Sequence, residues 1–156
     1  VLAALCIGRF FGVPETEAIA AVASYVPSNN RSQMQRTSRN ILIVDAYNAN
    51  PSSMKAALDN FSGFDAARKI VLLGDMLELG DESVAEHAKV LHSVADYGFE
   101  GYFVGEEFCK AGAERCFRTS DELAAYIASH EAEFSSAVIL IKGSRGTRME
   151  KVVPIL

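Results

Sequence analysis

The apolar positions change rhythm once along the chain. Residues 1–11 are apolar almost throughout and read as a helix that Gly12 ends. Pro14 suits the first turn of a second helix from Glu15 to about Ser24, with Ala18, Ile19, Val22 and Ala23 on one face. Pro27-Ser28-Asn29-Asn30 is a run of turn formers, and a domain boundary is placed there. After it, short β-branched runs take turns with amphipathic stretches. Residues 33–37 have weak extended character, Ser38-Arg39-Asn40 reads as a turn, and 41–44 reads as a buried strand, so these two strands form a hairpin. Further strands are expected at 69–74, 101–105, 115–118 and 137–141. Helices are expected at about 52–61, at 83–97 closed by Gly98, at 106–112, at about 121–133 with Ser120 as cap, and at 147–153.

Strands alternating with helices from residue 41 onward require right-handed crossovers. The fold class is therefore α/β: a mostly parallel, Rossmann-like sheet with helices on both faces and one N-terminal antiparallel hairpin strand. The strands read as unbroken apolar runs because both faces of a parallel sheet are covered. Residues 1–30 form a helical unit and linker, and 31–156 the α/β domain. Ligands in such sheets bind outside the carboxyl ends of the strands, which singles out loops 45–52, 74–82, 105 and 142–147.

Composition narrows the classes. Of 156 residues, 49% are hydrophobic and 22% charged, a globular balance. A net charge of −5 offers no basic face for nucleic acid. No apolar run approaches the ~18 residues a membrane span needs. Three widely spaced cysteines, Cys6, Cys109 and Cys116, argue against a disulfide framework or a zinc site and suit a reducing cytoplasm. Asn-x-Ser triplets at Asn30 and Asn60 read as chance matches. The first residues carry neither Met nor a basic stretch and look like the middle of a helix, so the chain is expected to be a fragment.

Four places carry candidate chemistry. Asp45-Ala46-Tyr47-Asn48-Ala49-Asn50-Pro51-Ser52-Ser53-Met54 leaves a buried strand and enters a helix. An Asp there can accept from ribose hydroxyls or pair with an Arg, and Asn can both donate and accept against an adenine edge. The same string is also what a capped helix start needs. Lys142-Gly143-Ser144-Arg145-Gly146-Thr147 puts two cations and two glycines between a strand and a helix start, a place that favours an anion or is simply a solvated turn. In Gly74-Asp75-Met76-Leu77-Glu78-Leu79-Gly80, Asp75 and Glu78 can hold a cation or cap the helix that follows. His87 in that helix suits a structural role, and His92 and His130 suit the surface. Arg31 lies in the linker. No G-x-x-x-x-G-K-[ST] phosphate loop occurs in the chain.

Taken in order, Asp45 to Met54, Gly74 to Gly80 with His87, and Lys142-Gly143-Ser144-Arg145 followed by Met149-Glu150 resemble the C-terminal domain of the Mur ligases over roughly 31–156. The Tyr47-Asn48-Ala49-Asn50 string resembles the branch that adds a dipeptide. Residues 1–30 resemble the last helices of that family's central ATP-binding domain. The resemblance implies an ATP- and Mg2+-dependent amide ligase of peptidoglycan synthesis, with UDP-N-acetylmuramoyl-tripeptide and D-alanyl-D-alanine as substrates. It implies that the central domain of the same chain closes onto this one. Within it, Arg31, Asp45, Asn48 and Asn50 resemble the ATP-side residues, with Arg31 meeting the nucleotide and Asp45 at the ribose; a pairing of Asp45 with Arg31 across the hinge is a further expectation. Asn50, Lys142, Ser144 and Arg145 fall to the dipeptide, the Lys142–Arg145 turn to its carboxylate. The phosphate loop and magnesium ligands belong to the central domain, so no catalytic or metal residue is expected in this stretch. The linker reads Asn30-Arg31 where Gly-Arg is common in the family. The competing classes are a stand-alone nucleotide-binding regulatory module and a docking domain with an exposed apolar patch.

Overall fold

The structure is a computed structural model that describes residues 1–25 and 32–156. Six strands, β1 (Gln33–Arg36), β2 (Ile41–Asp45), β3 (Lys69–Gly74), β4 (Glu100–Val104), β5 (Cys116–Phe117) and β6 (Val138–Lys142), lie in the order β1-β2-β6-β3-β4-β5. β1 runs antiparallel to β2, and every other neighbouring pair is parallel. The helices are α1 (Leu2–Phe10), α2 (Glu15–Ser24), α3 (Pro51–Ser62), α4 (Ser83–Asp96), α5 (Glu106–Lys110) and α6 (Ser120–Ser129).

Side chains alternate across the strands, so each strand feeds two cores. Leu42, Val44, Ile70, Leu72, Ile139 and Ile141 pack with Leu123 and Ile127 of α6 and with Met149 and Val152 beyond β6. Val71, Leu73, Phe103 and Leu140 pack with Met54 and Leu58 of α3, Val90 of α4 and Phe108 of α5. Each such buried side chain contributes about 1.5–3 kcal/mol, which is why the short strands hold. At the amino edge, buried Asn40 locks the hairpin: its carboxamide nitrogen donates to Phe134 O at 2.7 Å and Leu156 O at 2.9 Å, and its oxygen accepts from Ala137 N–H at 3.2 Å. α1 and α2 bury no residue completely, and Leu2, Ile7, Phe10 and Phe11 are exposed.

Several local expectations change. The cap of α6 is Thr119, whose hydroxyl accepts Glu122 N–H at 3.2 Å, and Ser120 is already inside the helix. That helix ends at Ser129, and Glu131–Phe134 is a separate 3-10 turn. The last element is two 3-10 turns, Arg145–Thr147 and Met149–Ile155; Pro154 has no N–H to extend an α-helical ladder. Contrary to the expectation from cysteine number and spacing, Cys109 and Cys116 are joined as a disulfide, with Cα atoms 5.5 Å apart. The turn from α5 into β5 brings them together, and a seven-residue spacing does not announce that.

Candidate functional site

All the loops singled out above lie at the carboxyl edge of the sheet. Because β6 inserts between β2 and β3, the ends of β2 and β6 are register partners, Asp45 beside Lys142. Lys142 sits in an otherwise apolar strand and is 2% exposed. Its ammonium can be kept there only if paired. It donates to Asp45 Oδ2 at 2.5 Å and to the Asn48 carbonyl at 3.1 Å. Asp45 Oδ1 accepts the Ser32 N–H at 3.1 Å, and the Asp45 side chain remains 23% exposed.

The second contact between the loops is Ser144. Its hydroxyl donates to the Ala49 carbonyl at 3.4 Å and accepts the Leu77 N–H at 3.0 Å, while its own N–H reaches the Asp75 carbonyl at 3.1 Å. Three loops are thus tied at one buried residue. Arg145, next along, is exposed and places its guanidinium 5.6 Å from the Tyr47 ring centroid.

Asn50 caps α3: its carboxamide oxygen accepts Ser53 N–H at 2.8 Å and the Ser52 hydroxyl at 2.9 Å, and its own N–H goes to Ser53 Oγ at 3.1 Å. The Asn48 side chain is exposed beside it. The expected ribose pair of Asp45 with Arg31 lies outside the described residues; Lys142 is the cationic partner the structure supplies. The sequence held a signal for that pair, a Lys closing a strand of four apolar residues, but not its partner.

Asp75 was expected to hold a cation or cap the helix after it. It instead caps α5, across the sheet, accepting the N–H groups of Glu107 and Phe108 at 3.0 Å each. Glu78 takes a left-handed turn, φ 67°. His87 is fully buried, and its Nε2 accepts the Met76 N–H at 3.0 Å, so the proton sits on Nδ1, 2.7 Å from the Ser83 carbonyl. Its structural role thus includes shaping the 75–79 loop. His92 and His130 are exposed. Among the described residues no three His, Cys, Asp or Glu side chains gather to hold a metal, and no helix is long and apolar enough to cross a membrane.

Burial pushes the Asp75 carboxyl above its usual range, with the two amides of α5 pulling back. A carboxyl raised on folding adds stability in acid, and that share is lost as the pH climbs through its folded value. The stability difference between the wild-type chain and Asp75→Asn is therefore expected to shrink from about pH 4 upward. Urea unfolding of both at a series of pH values measures it; a difference that grows with pH contradicts the assignment.

The Mur ligase, glutamate ligase domain, matches residues 30–145. The chain belongs to the Mur ligase family. Among Mur ligases, the UDP-N-acetylmuramoyl-tripeptide–D-alanyl-D-alanine ligase of Treponema pallidum is 32% identical over 99% of this chain and 36% of its own length. The chain thus spans about a third of the relatives it matches. A crystal structure of MurF from Acinetobacter baumannii superposes with TM-score 0.82 at 25% identity, over 94% of this chain and 34% of that one. MurF from Thermotoga maritima, crystallised in complex with ADP, shares the fold with TM-score 0.76 at 22% identity, over 97% of this chain and 35% of its own. The mostly parallel sheet with one antiparallel hairpin strand is the Mur ligase C-terminal architecture anticipated above.

Proposed function

We propose that this chain is the C-terminal part of the ATP-dependent ligase that adds D-alanyl-D-alanine to UDP-N-acetylmuramoyl-tripeptide, a cytoplasmic step of peptidoglycan synthesis. The observation that carries the reading is the joining of the two motif loops, 45–50 and 142–147, at one edge through Lys142 and Ser144. Relatives that carry this printed name match nearly the whole chain.

In this reading residues 1–30 end the central ATP-binding domain and 31–156 form the domain that closes on it. The exposed apolar side chains of α1 and α2 suit burial against the rest of that domain. Asp45, with part of its carboxylate open, accepts from ribose, and Arg31, Asn48 and Asn50 complete the nucleotide side. The turn at Lys142, Ser144 and Arg145, with Asn50, forms the wall the dipeptide rests on. Lys142 and Ser144 act there by holding the turn, and Arg145 by facing the cleft. When bound, ATP supplies the phosphoryl group that activates the tripeptide carboxylate, and Mg2+ rests on residues outside this stretch. Closure keeps water away from an activated acyl group. A reducing cytoplasm would hold Cys109 and Cys116 as neighbouring thiols.

Two measurements test the reading. The isolated chain is expected to fold yet release no phosphate from ATP with both other substrates present, since it carries no phosphate loop. Its affinity for ATP is expected to be no better than about millimolar, roughly −4 kcal/mol. Micromolar binding by calorimetry would favour the stand-alone nucleotide module instead.

A further inference from the structure

The Cys109–Cys116 pair sits where β4 gives way to α5, and the ligase reading gives it no task. Cys109 is exposed on α5, Cys116 is half-buried at the start of β5, and their Cα atoms lie 5.5 Å apart, a separation that a disulfide spans. Backbone contacts hold the two residues there without help from the bond. The N–H groups of Ala111, Gly112 and Ala113 return to the carbonyls of Glu107, Cys109 and Phe108 at 2.9, 3.1 and 3.2 Å, and Gly112 makes the turn at φ 91°. β5 is fixed to β4 from the other side, by Phe103 N–H to the Arg115 carbonyl and Gly105 N–H to the Phe117 carbonyl, both at 2.9 Å. Phe108, next to Cys109, is fully buried. Two thiols would therefore stay neighbours in a folded, reduced chain.

The corner that the pair closes also carries the Asp75 cap. Glu107 and Phe108, whose N–H groups Asp75 accepts at 3.0 Å each, immediately precede Cys109. The Cys116 sulfur lies 3.5 Å from the carbonyl of Gly105, the residue against which the Asp75 carboxylate packs. Asp75 in turn opens the loop whose Leu77 N–H reaches Ser144. α5 has five residues, too few for a helix to persist by its own hydrogen bonds. Its order rests on buried Phe108, on the Asp75 cap and on the cross-link at its far end.

We propose that Cys109 and Cys116 form a reversible thiol–disulfide couple, oxidised by low-molecular-weight disulfides and reduced by thiols, that sets the rigidity of the corner between α5 and β5. The couple goes beyond the ligase reading and does not depend on it. Access decides the order of events. The exposed Cys109 thiolate attacks one sulfur of the small disulfide, which forms a mixed disulfide and releases one thiolate. The Cys116 thiolate then attacks the Cys109 sulfur, which closes the protein disulfide and releases the second thiolate. Two protein thiols give up two electrons and two protons, and one small disulfide becomes two thiols. Because the backbone places both sulfurs in either state, the bond removes local openings of the 109–116 loop and does not rebuild the corner.

The test equilibrates the full-length protein with reduced and oxidised glutathione in graded ratios, quenches by alkylation and weighs the peptides that hold Cys109 and Cys116. A single two-electron transition is expected, reversed by excess dithiothreitol, with no glutathione left on the wild-type pair. Cys116→Ser is expected to trap glutathione on Cys109, while Cys109→Ser should react at Cys116 about tenfold more slowly, since access limits the exchange. Amide hydrogen exchange across residues 106–117 should slow by about tenfold or more on oxidation. In the double variant Cys109→Ser, Cys116→Ser it should not respond to redox state. A pair that stays bonded in excess dithiothreitol is a fixed structural cross-link and overturns the proposal. So does a pair that stays reduced in excess oxidised glutathione or keeps glutathione without closing, and so does equal amide exchange in the two states.

Discussion

Asp45→Ala is expected to lower the stability of the isolated chain by about 1–3 kcal/mol and, in the full-length ligase, to cut kcat/KM by roughly a hundredfold or more. The first effect comes from Lys142. Its ammonium is 2% exposed and meets the Asp45 carboxylate at 2.5 Å. Removing one partner of a fully buried pair costs about 3–5 kcal/mol. Asp45 is 23% exposed and Lys142 keeps the Asn48 carbonyl, so the lower range applies. The kinetic effect comes from the proposed ribose contact. A pairing with Arg31 alone, across the hinge, would leave the stability of the isolated chain nearly unchanged. The buried lysine reverses that expectation. The double variant Asp45→Ala, Lys142→Met separates the two effects, because an apolar side chain of similar length leaves no orphaned charge. It should regain at least half of the lost stability by urea unfolding while the kinetic loss stays. Full kinetic recovery in the double variant would mean that Asp45 acts only through Lys142.

The second large effect is expected at Gly105, which follows β4. Its φ is 121°, a region closed to residues with a Cβ, and a Cβ there would run into the Asp75 carboxylate. That carboxylate cannot step aside without releasing the amides of Glu107 and Phe108. Gly105→Ala therefore strains the backbone and breaks the cap of α5 at once. A loss of about 3–5 kcal/mol is expected, in the exceptional range for one substitution. Melting of the variant beside Gly98→Ala is the measurement. Gly98 is also left-handed, φ 67°, but a Cβ there meets nothing, so only the backbone penalty of about 1 kcal/mol or slightly more should appear. Equal losses at the two glycines would show that the Asp75 contact has no bearing on stability.

Unbroken apolar runs alternating with stretches of period near 3.6 were enough to place β2, β3, β4 and β6 and the helices between them, because those patterns are local and each strand must be covered on both faces. They were enough also to send attention to the carboxyl edge and to the strings around Asp45 and Lys142. What they could not decide was partnership. Asp45 and Lys142 are 97 residues apart and meet only because β6 lies beside β2, an order that the pattern of any one strand does not encode. Asp75 caps a helix 32 residues on, not the one that follows it, because β3 and β4 end side by side. Cys109 and Cys116 join because a tight turn folds α5 back onto β5. Local periodicity selects the elements; which charges end up facing one another depends on strand order and register, and those are settled only when the whole sheet closes its two cores.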